Sequence, residues 1–134
     1  MEKNLHLLIY TPFGKYLETD ADYISVTSSV AVLGIMPNHA PLITTLKICK
    51  LTVKIAGQVN EYAIGGGVLH IEKGSKVTLL LDSIESKDEI DLDRAIAAKE
   101  RAEELLLKKD NVDIKRADAA LLRALNRISV AEKK

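Results

Sequence analysis

The sequence predicts an α+β protein: an N-terminal antiparallel β-sandwich of about eight to ten short strands, then a C-terminal antiparallel two-helix hairpin. Three observations carry this. Up to Asp82, short apolar or alternating runs are separated by frequent turn formers. From Asp91 to Val130 the chain is charged, rich in Ala and Leu, and repeats at three- and four-residue steps. Between them lies a joint, Glu89-Ile90-Asp91-Leu92-Asp93-Arg94-Ala95, where the period changes. The expected division is residues 1–84 for the strand unit and 85–134 for the helices.

Leu5 to Thr11 is an apolar strand candidate, and Pro12-Phe13-Gly14-Lys15 is a turn whose dihedral angles Pro and Gly supply. Ala21 to Thr27 alternates, with Ile24 and Val26 on one face and Tyr23, Ser25 and Thr27 on the other. Val30 to Ile35 is a further apolar run. The stretch Met36-Pro37-Asn38-His39-Ala40-Pro41 must be a loop, because two prolines this close forbid both a helix interior and a central strand. Leu42 to Leu46 resumes as a strand. Leu51, Val53 and Ile55 alternate with Thr52 and Lys54 as a second, half-buried strand, which Ala56-Gly57-Gln58-Val59 turns into Glu61 to Ile64. Gly65-Gly66-Gly67 predicts a bulge or a close backbone approach. Val68 to Ile71, a turn at Glu72-Lys73-Gly74-Ser75, and Val77 to Leu81 complete the series.

At the joint, Asp91 is a good N-cap, since its short side chain can accept free amide N–H groups of the first turn. Ser86-Lys87-Asp88-Glu89 fits a capping box one turn earlier. Ala95, Ala98, Ala102 and Leu105 then form a seam. Lys108-Lys109-Asp110-Asn111-Val112-Asp113 interrupts it, and Ile114, Ala117, Leu121, Ala124 and Ile128 take it up again. An Ala–Leu seam buries less area than a Leu–Leu seam, at about 25 cal/mol per Å², so the hairpin should lean on the strand unit, a partner or a ligand.

The arginines indicate which. With Ala95 and Ala102 at heptad position a, Arg94 and Arg101 fall at g. With Ile114, Leu121 and Ile128 at a, Arg127 falls at g and Arg123 one turn before it. The g flanks of an antiparallel pair lie side by side, so four guanidiniums gather on one side of the hairpin. Like charges this close repel unless something negative joins them. Glu85, Asp91 and Glu104 are the local carboxylates, which makes an internally paired, solvated face one reading. A phosphate clamp is the other, because planar guanidiniums suit bidentate phosphate binding and a helix start attracts anions.

Composition excludes several classes. Lys+Arg 19 balances Asp+Glu 19, and aromatics make up only 4%, so neither a basic field nor base-stacking platforms point to nucleic acid. The longest apolar runs fall short of the roughly 18 residues of a membrane span, so membrane association is expected only through a complex. Met1-Glu2-Lys3-Asn4 lacks a signal-peptide pattern. A single cysteine, Cys49, permits no intrachain disulfide and fits a reducing cytoplasm. The triple glycine lacks the Lys and Ser/Thr of a phosphate loop, and Gly74-Ser75-Lys76 sits in a hairpin turn with no following helix. His39 and Cys49 as a thiol–imidazole pair is outweighed by a loop histidine and a small half-buried residue. His6, His39 and His70 show no metal-ligand spacing. Neither a catalytic residue, nor a metal, nor a required cofactor is expected.

Five stretches, in order, carry a resemblance: Leu7-Leu8-Ile9-Tyr10-Thr11-Pro12-Phe13-Gly14, Leu33-Gly34-Ile35-Met36-Pro37-Asn38-His39-Ala40-Pro41-Leu42, Gly66-Gly67-Val68, Val77-Thr78-Leu79-Leu80, and Leu125-Asn126-Arg127-Ile128-Ser129-Val130-Ala131. Over nearly its whole length the chain resembles the epsilon subunit of bacterial F-type ATP synthase. The resemblance implies a non-catalytic central-stalk subunit on the cytoplasmic face of the bacterial membrane. Its partners would be the gamma subunit, the ring of c subunits and the alpha/beta head. It also implies a switch, in which the hairpin is compact against the sandwich or extended into the head, where it inhibits ATP hydrolysis. In Bacillus-type relatives ATP, a regulatory ligand, binds the compact hairpin through an Ile-Asp-x-x-Arg-Ala motif, which here is Ile90-Asp91-Leu92-Asp93-Arg94-Ala95. The family's further ATP-binding positions fall on Glu85, Arg101, Arg123 and Arg127, and its ring and stalk contacts on Pro37, Asn38 and His39. The chain departs from the family at Ala31 and Val32, where a Gly-Glu pair is usual, at Asn38 for Gly, and at His70 for an acid. A free-standing ATP-sensing module with a helical effector arm is the competing reading.

Overall fold

A computed structural model describes residues 4–108 and 113–132. It contains strands β1 (Leu5–Thr11), β2 (Gly14–Ala21), β3 (Tyr23–Thr27), β4 (Val32–Ile35), β5 (Leu42–Ile55), β6 (Gln58–Glu72), β7 (Lys76–Leu81) and β8 (Ile84–Ser86). A single 3-10 turn (Lys87–Glu89) then leads to helices α1 (Leu92–Leu107) and α2 (Ile114–Glu132). Part of the predicted interhelical break, residues 109–112, lies outside the described residues. The strand order is β2-β1-β7-β6-β5-β3-β4, with β8 also on β6. Every pairing is antiparallel except β1 with β7.

Two pairs of expected strands are each one strand. Leu42 to Leu46 and Leu51 to Ile55 join as β5, and Glu61 to Ile64 and Val68 to Ile71 join as β6. Their ladder keeps one register, from Ile55↔Gln58 through Ile48↔Gly65 and Leu46↔Gly67 to Leu42↔Ile71. The triple glycine is therefore a close approach and not a bulge in this ladder. A Cβ on Gly67 would collide with the Leu80 carbonyl oxygen and stand 2.9 Å from Leu81 Cα, and one on Gly66 would stand 3.1 Å from the Leu46 carbonyl oxygen. Gly66 and Gly67 have positive φ, +93° and +152° respectively, which a side chain tolerates poorly. The inward face also changes here: on β6 it passes from Tyr62 and Ile64 to Leu69 and Ile71, and on β5 from Leu46 to Leu51 and Val53. A strict alternation would have turned half of each strand outward. The two long strands thus serve both layers, one half pairing toward β7 and β1, the other toward β3, β4 and β8.

Between the layers sit Leu5, Leu7, Ile9, Ile24, Leu51 and Leu79, all fully buried. Ile24 and Val26 face inward as their alternation predicts. Ala56 (φ 49°) and Gly57 (φ 81°) form the two-residue hairpin turn that needs positive φ at both positions.

Both predicted start signals exist, one behind the other. Glu89 Oε1 accepts the Ser86 N–H at 2.9 Å around the 3-10 turn, and Asp91 Oδ1 accepts the Arg94 N–H at 3.1 Å to cap α1. The helices meet along Ala95, Ala102, Ala117 and Ala124, all buried. Leu105 and Ile114, expected in the seam, are 43% and 57% exposed. The seam therefore closes at the joint end, where α2 lies on β5 and β6, and is more exposed at Leu105 and Ile114. Asn126 of α2 donates to the backbone carbonyls of Cys49 (2.6 Å) and Ile64 (3.4 Å). The hairpin leans on the strand unit, in a compact arrangement.

Candidate functional site at the joint

A pocket of about 430 Å³ opens where the joint, α1 and α2 come together. It is lined by Glu85, Glu89, Asp91, Arg94, Ala95, Ala98, Arg101 and Arg127. Each side chain arrives for a local reason. Glu85 lies in β8, a short strand that the sequence reading did not anticipate, held by its register with Ala63 of β6. Asp91 is fixed by capping α1. Arg94 and Arg101, seven residues apart, share one flank of α1, and Ala95 and Ala98 on the adjoining face leave room between the helices. Arg127 comes from the part of α2 that is seated on the sandwich.

Of the residues predicted for this site, Glu85, Asp91, Arg94, Ala95, Arg101 and Arg127 line one pocket. Ile90 and Arg123 do not: Ile90 is the half-buried, extended residue after the 3-10 turn, and Arg123 is half-buried one turn from Arg127. Glu89 was missed as a lining residue, although its capping-box position placed it at the joint.

The lining carries three arginines and three carboxylates, but the carboxylates are engaged. Arg127 Nε donates to Glu85 Oε1. Asp91 caps the helix. Glu89 accepts from Ser86 and from the Tyr16 hydroxyl, and these bonds, Tyr16's first, hold its carboxyl below the usual range. Among the described residues neither Arg94 nor Arg101 forms an ion pair; Arg101 makes only a 3.4 Å bond to the Ala97 carbonyl. Two guanidiniums on one flank of α1, the first in its opening turn, with a third paired to a carboxylate, are chemically suited to a polyphosphate.

The other sequence candidates lie elsewhere. Pro37, Asn38 and His39 form the β4–β5 loop. Asn38 is left-handed (φ 68°) and its N–H donates to Ser75 Oγ at 2.7 Å, tying the loop to the β6–β7 turn. The His39 ring sits on the Ala40 carbonyl, and the Cys49 thiol, pushed up by burial, lies 3.9 Å from the Thr27 carbonyl. A raised thiol is the reverse of an activated nucleophile.

Residues 4–87 match the family described as ATP synthase, Delta/Epsilon chain, beta-sandwich domain. Residues 88–132 match the one described as ATP synthase, Delta/Epsilon chain, long alpha-helix domain. The ATP synthase epsilon chain of Bacillus licheniformis is 42% identical over 130 residues, covering 96% of this chain and 98% of its own length. The chain belongs to the ATP synthase epsilon chain family. Family membership makes it a central-stalk subunit of F-type ATP synthase rather than an enzyme in its own right. The epsilon chain of Desulfitobacterium hafniense (strain Y51) is 39% identical over 125 residues, 93% of this chain and 94% of that one. In fold, the epsilon architecture matches a chain in the cryo-EM structure of Euglena gracilis mitochondrial ATP synthase, OSCP/F1/c-ring in rotational state 1. The TM-score is 0.88 at 20% identity, over 99% of this chain and 84% of that one.

Proposed function

We propose that this epsilon chain couples rotation to ATP synthesis and carries a nucleotide-gated brake. The strand unit sits on the rotor at the cytoplasmic face of the membrane, contacting gamma and the c-ring, and the hairpin inhibits ATP hydrolysis when it extends toward the alpha/beta head. ATP, bound in the joint pocket, holds the hairpin compact. The observation that carries this is the convergence of Asp91, Arg94, Ala95, Arg101 and Arg127, from two helices and a cap, on one pocket. Such a site exists only while both helices are down, so a ligand there stabilises the compact state by RT ln(1 + [L]/Kd). For the rotor contacts, Val30, Val32, Met36 and Ile43 around β4 and the β4–β5 loop are 63–87% exposed, an apolar surface suited to a partner. No described helix is long and apolar enough to cross a membrane.

Calorimetric titration with ATP tests the gate. The full chain should bind, and Arg94→Ala and Arg127→Ala should each weaken binding by roughly ten- to a hundredfold, the range expected for charged hydrogen bonds. Absence of binding up to millimolar ATP would return the arginines to ion pairing or to contacts with the head, leaving the stalk role in place. The free-standing sensor reading predicts ATP binding without co-purification with the assembly.

A further inference from the structure

We propose that Tyr16, in β2, is a positioning residue for the joint pocket: its hydroxyl, through Glu89, fixes the segment that carries Asp91 and Arg94 against the strand unit. The proposal rests on the nucleotide reading of that pocket and adds to it a control point in the sandwich. Tyr16 and Glu89 are 73 residues apart, yet the hydroxyl donates to Glu89 Oε1, the same oxygen that accepts the Ser86 N–H. The Tyr16 ring is itself braced, edge-on to Tyr62 with centroids 6.3 Å apart and planes at 85°. Tyr62 in turn is the register partner of Ser86. Both ends of the 3-10 turn are thus tied to the sandwich, Ser86 by its ladder and Glu89 by Tyr16.

The tie is short of slack. Ile90 and Asp91 follow Glu89 in extended conformation, and Asp91 caps α1, so a displacement of Glu89 carries the cap and Arg94 with it. An extended hairpin requires this segment to swing, and Tyr16 is the side chain of β2 that opposes the swing. Charge acts in the same direction. Glu89 lines the pocket, and its carboxylate would repel a polyanion less while two donors share its charge. Removing the hydroxyl therefore loosens the pocket and sharpens that repulsion together. The plain alternative is a half-buried tyrosine whose ring alone matters. Tyr16→Phe separates the two, because it keeps the edge-on contact with Tyr62.

The experiment compares full-length wild type, Tyr16→Phe, Glu89→Gln and the double variant, by ATP titration and by hydrogen exchange of residues 86–95 without nucleotide. Tyr16→Phe should raise the ATP dissociation constant roughly five- to tenfold, less than loss of a direct charged hydrogen bond because it acts on the ligand only through Glu89, and speed exchange across 86–95. The thermal midpoint of the strand unit should stay near wild type. Glu89→Gln keeps an acceptor oxygen for the hydroxyl but removes the charge, so Tyr16→Phe should cost less ATP affinity in that background than in wild type, because the repulsion that the hydroxyl softens is gone. Unchanged exchange and affinity in Tyr16→Phe, or faster exchange with unchanged affinity, overturns the positioning role. If wild type binds no ATP, the nucleotide reading fails and takes the positioning role with it, while the exchange comparison still decides whether Tyr16 braces the joint.

Discussion

Replacing Asn126 should release the hairpin without unfolding the sandwich. The Asn126 amide is a polar tie between α2 and the strand unit, donating to the carbonyls of Cys49 and Ile64, directly paired residues of β5 and β6. The 2.6 Å bond is short and the 3.4 Å bond is near the outer limit for an amide donor. A net contribution of about 1–1.5 kcal/mol for the first and below about 0.5 for the second gives roughly 1–2 kcal/mol for the docked state. That is about a 5- to 30-fold shift toward undocked helices. Asn126→Ala and the similarly branched Asn126→Leu should each lose at least this amount. Asn126→Asp should lose more, because a carboxylate would face two carbonyl oxygens without a donor. Hydrogen exchange read by mass spectrometry checks it: α2 amides should exchange faster by that factor, while β1, β5 and β7 keep their protection. Exchange of α2 unchanged in all three variants would refute the docking role. Equal loss of protection in α2 and in the sandwich core would refute the separability of hairpin and sandwich.

Gly67→Ala should destabilise the strand unit by several kcal/mol, on the order of the worst backbone lesions, since its Cβ meets the Leu80–Leu81 backbone and not a movable side chain; thermal unfolding would show it, and a midpoint within a few degrees of wild type would count against the close-approach reading. Ala102→Leu should force α1 away from α2 and cost about 1–3 kcal/mol of hairpin docking, because Ala102 is 2% exposed; small-angle scattering of the variant should report a larger radius. The joint should be tightest between about pH 5 and 9. The Glu89 carboxyl is lowered first by Tyr16's hydroxyl, then by Ser86's amide, so its stabilisation is present above its unfolded value and is lost as pH falls through the folded one. Tyr16 is raised, first by burial and then by Glu89; its stabilisation is present below its unfolded value, and is lost as pH climbs toward the folded one. Exchange across 86–95, corrected for intrinsic pH dependence, should rise at both limits, and Glu89→Gln should remove the acid limb.

Much of this molecule is decided over short sequence distances, and those features are legible in the sequence. The alternation of Ile24 and Val26, the turn at Ala56-Gly57, the prolines around Asn38, and the two successive start signals at Ser86 and Asp91 each act within a few residues, where backbone sterics and local hydrogen bonds dominate. The Ile90–Ala95 motif and the arginine spacing within each helix belong to this class too, since a cap and at most two helix turns relate one such residue to the next. Tertiary structure decides what depends on distant partners. Whether Leu46 and Leu51 lie in one strand or two is settled by the β6 ladder beside them, and the glycines that let the inward face change are explained only by the Leu46 and Leu80 backbones pressed against them. Heptad spacing gathered four arginines, but the seat of α2 on β5 and β6 brings Arg127, and not Arg123, to the pocket. No local pattern could have joined Tyr16 to Glu89. That contact follows from two chain segments meeting across a folded sandwich, because only folding removes the entropy that otherwise keeps them apart.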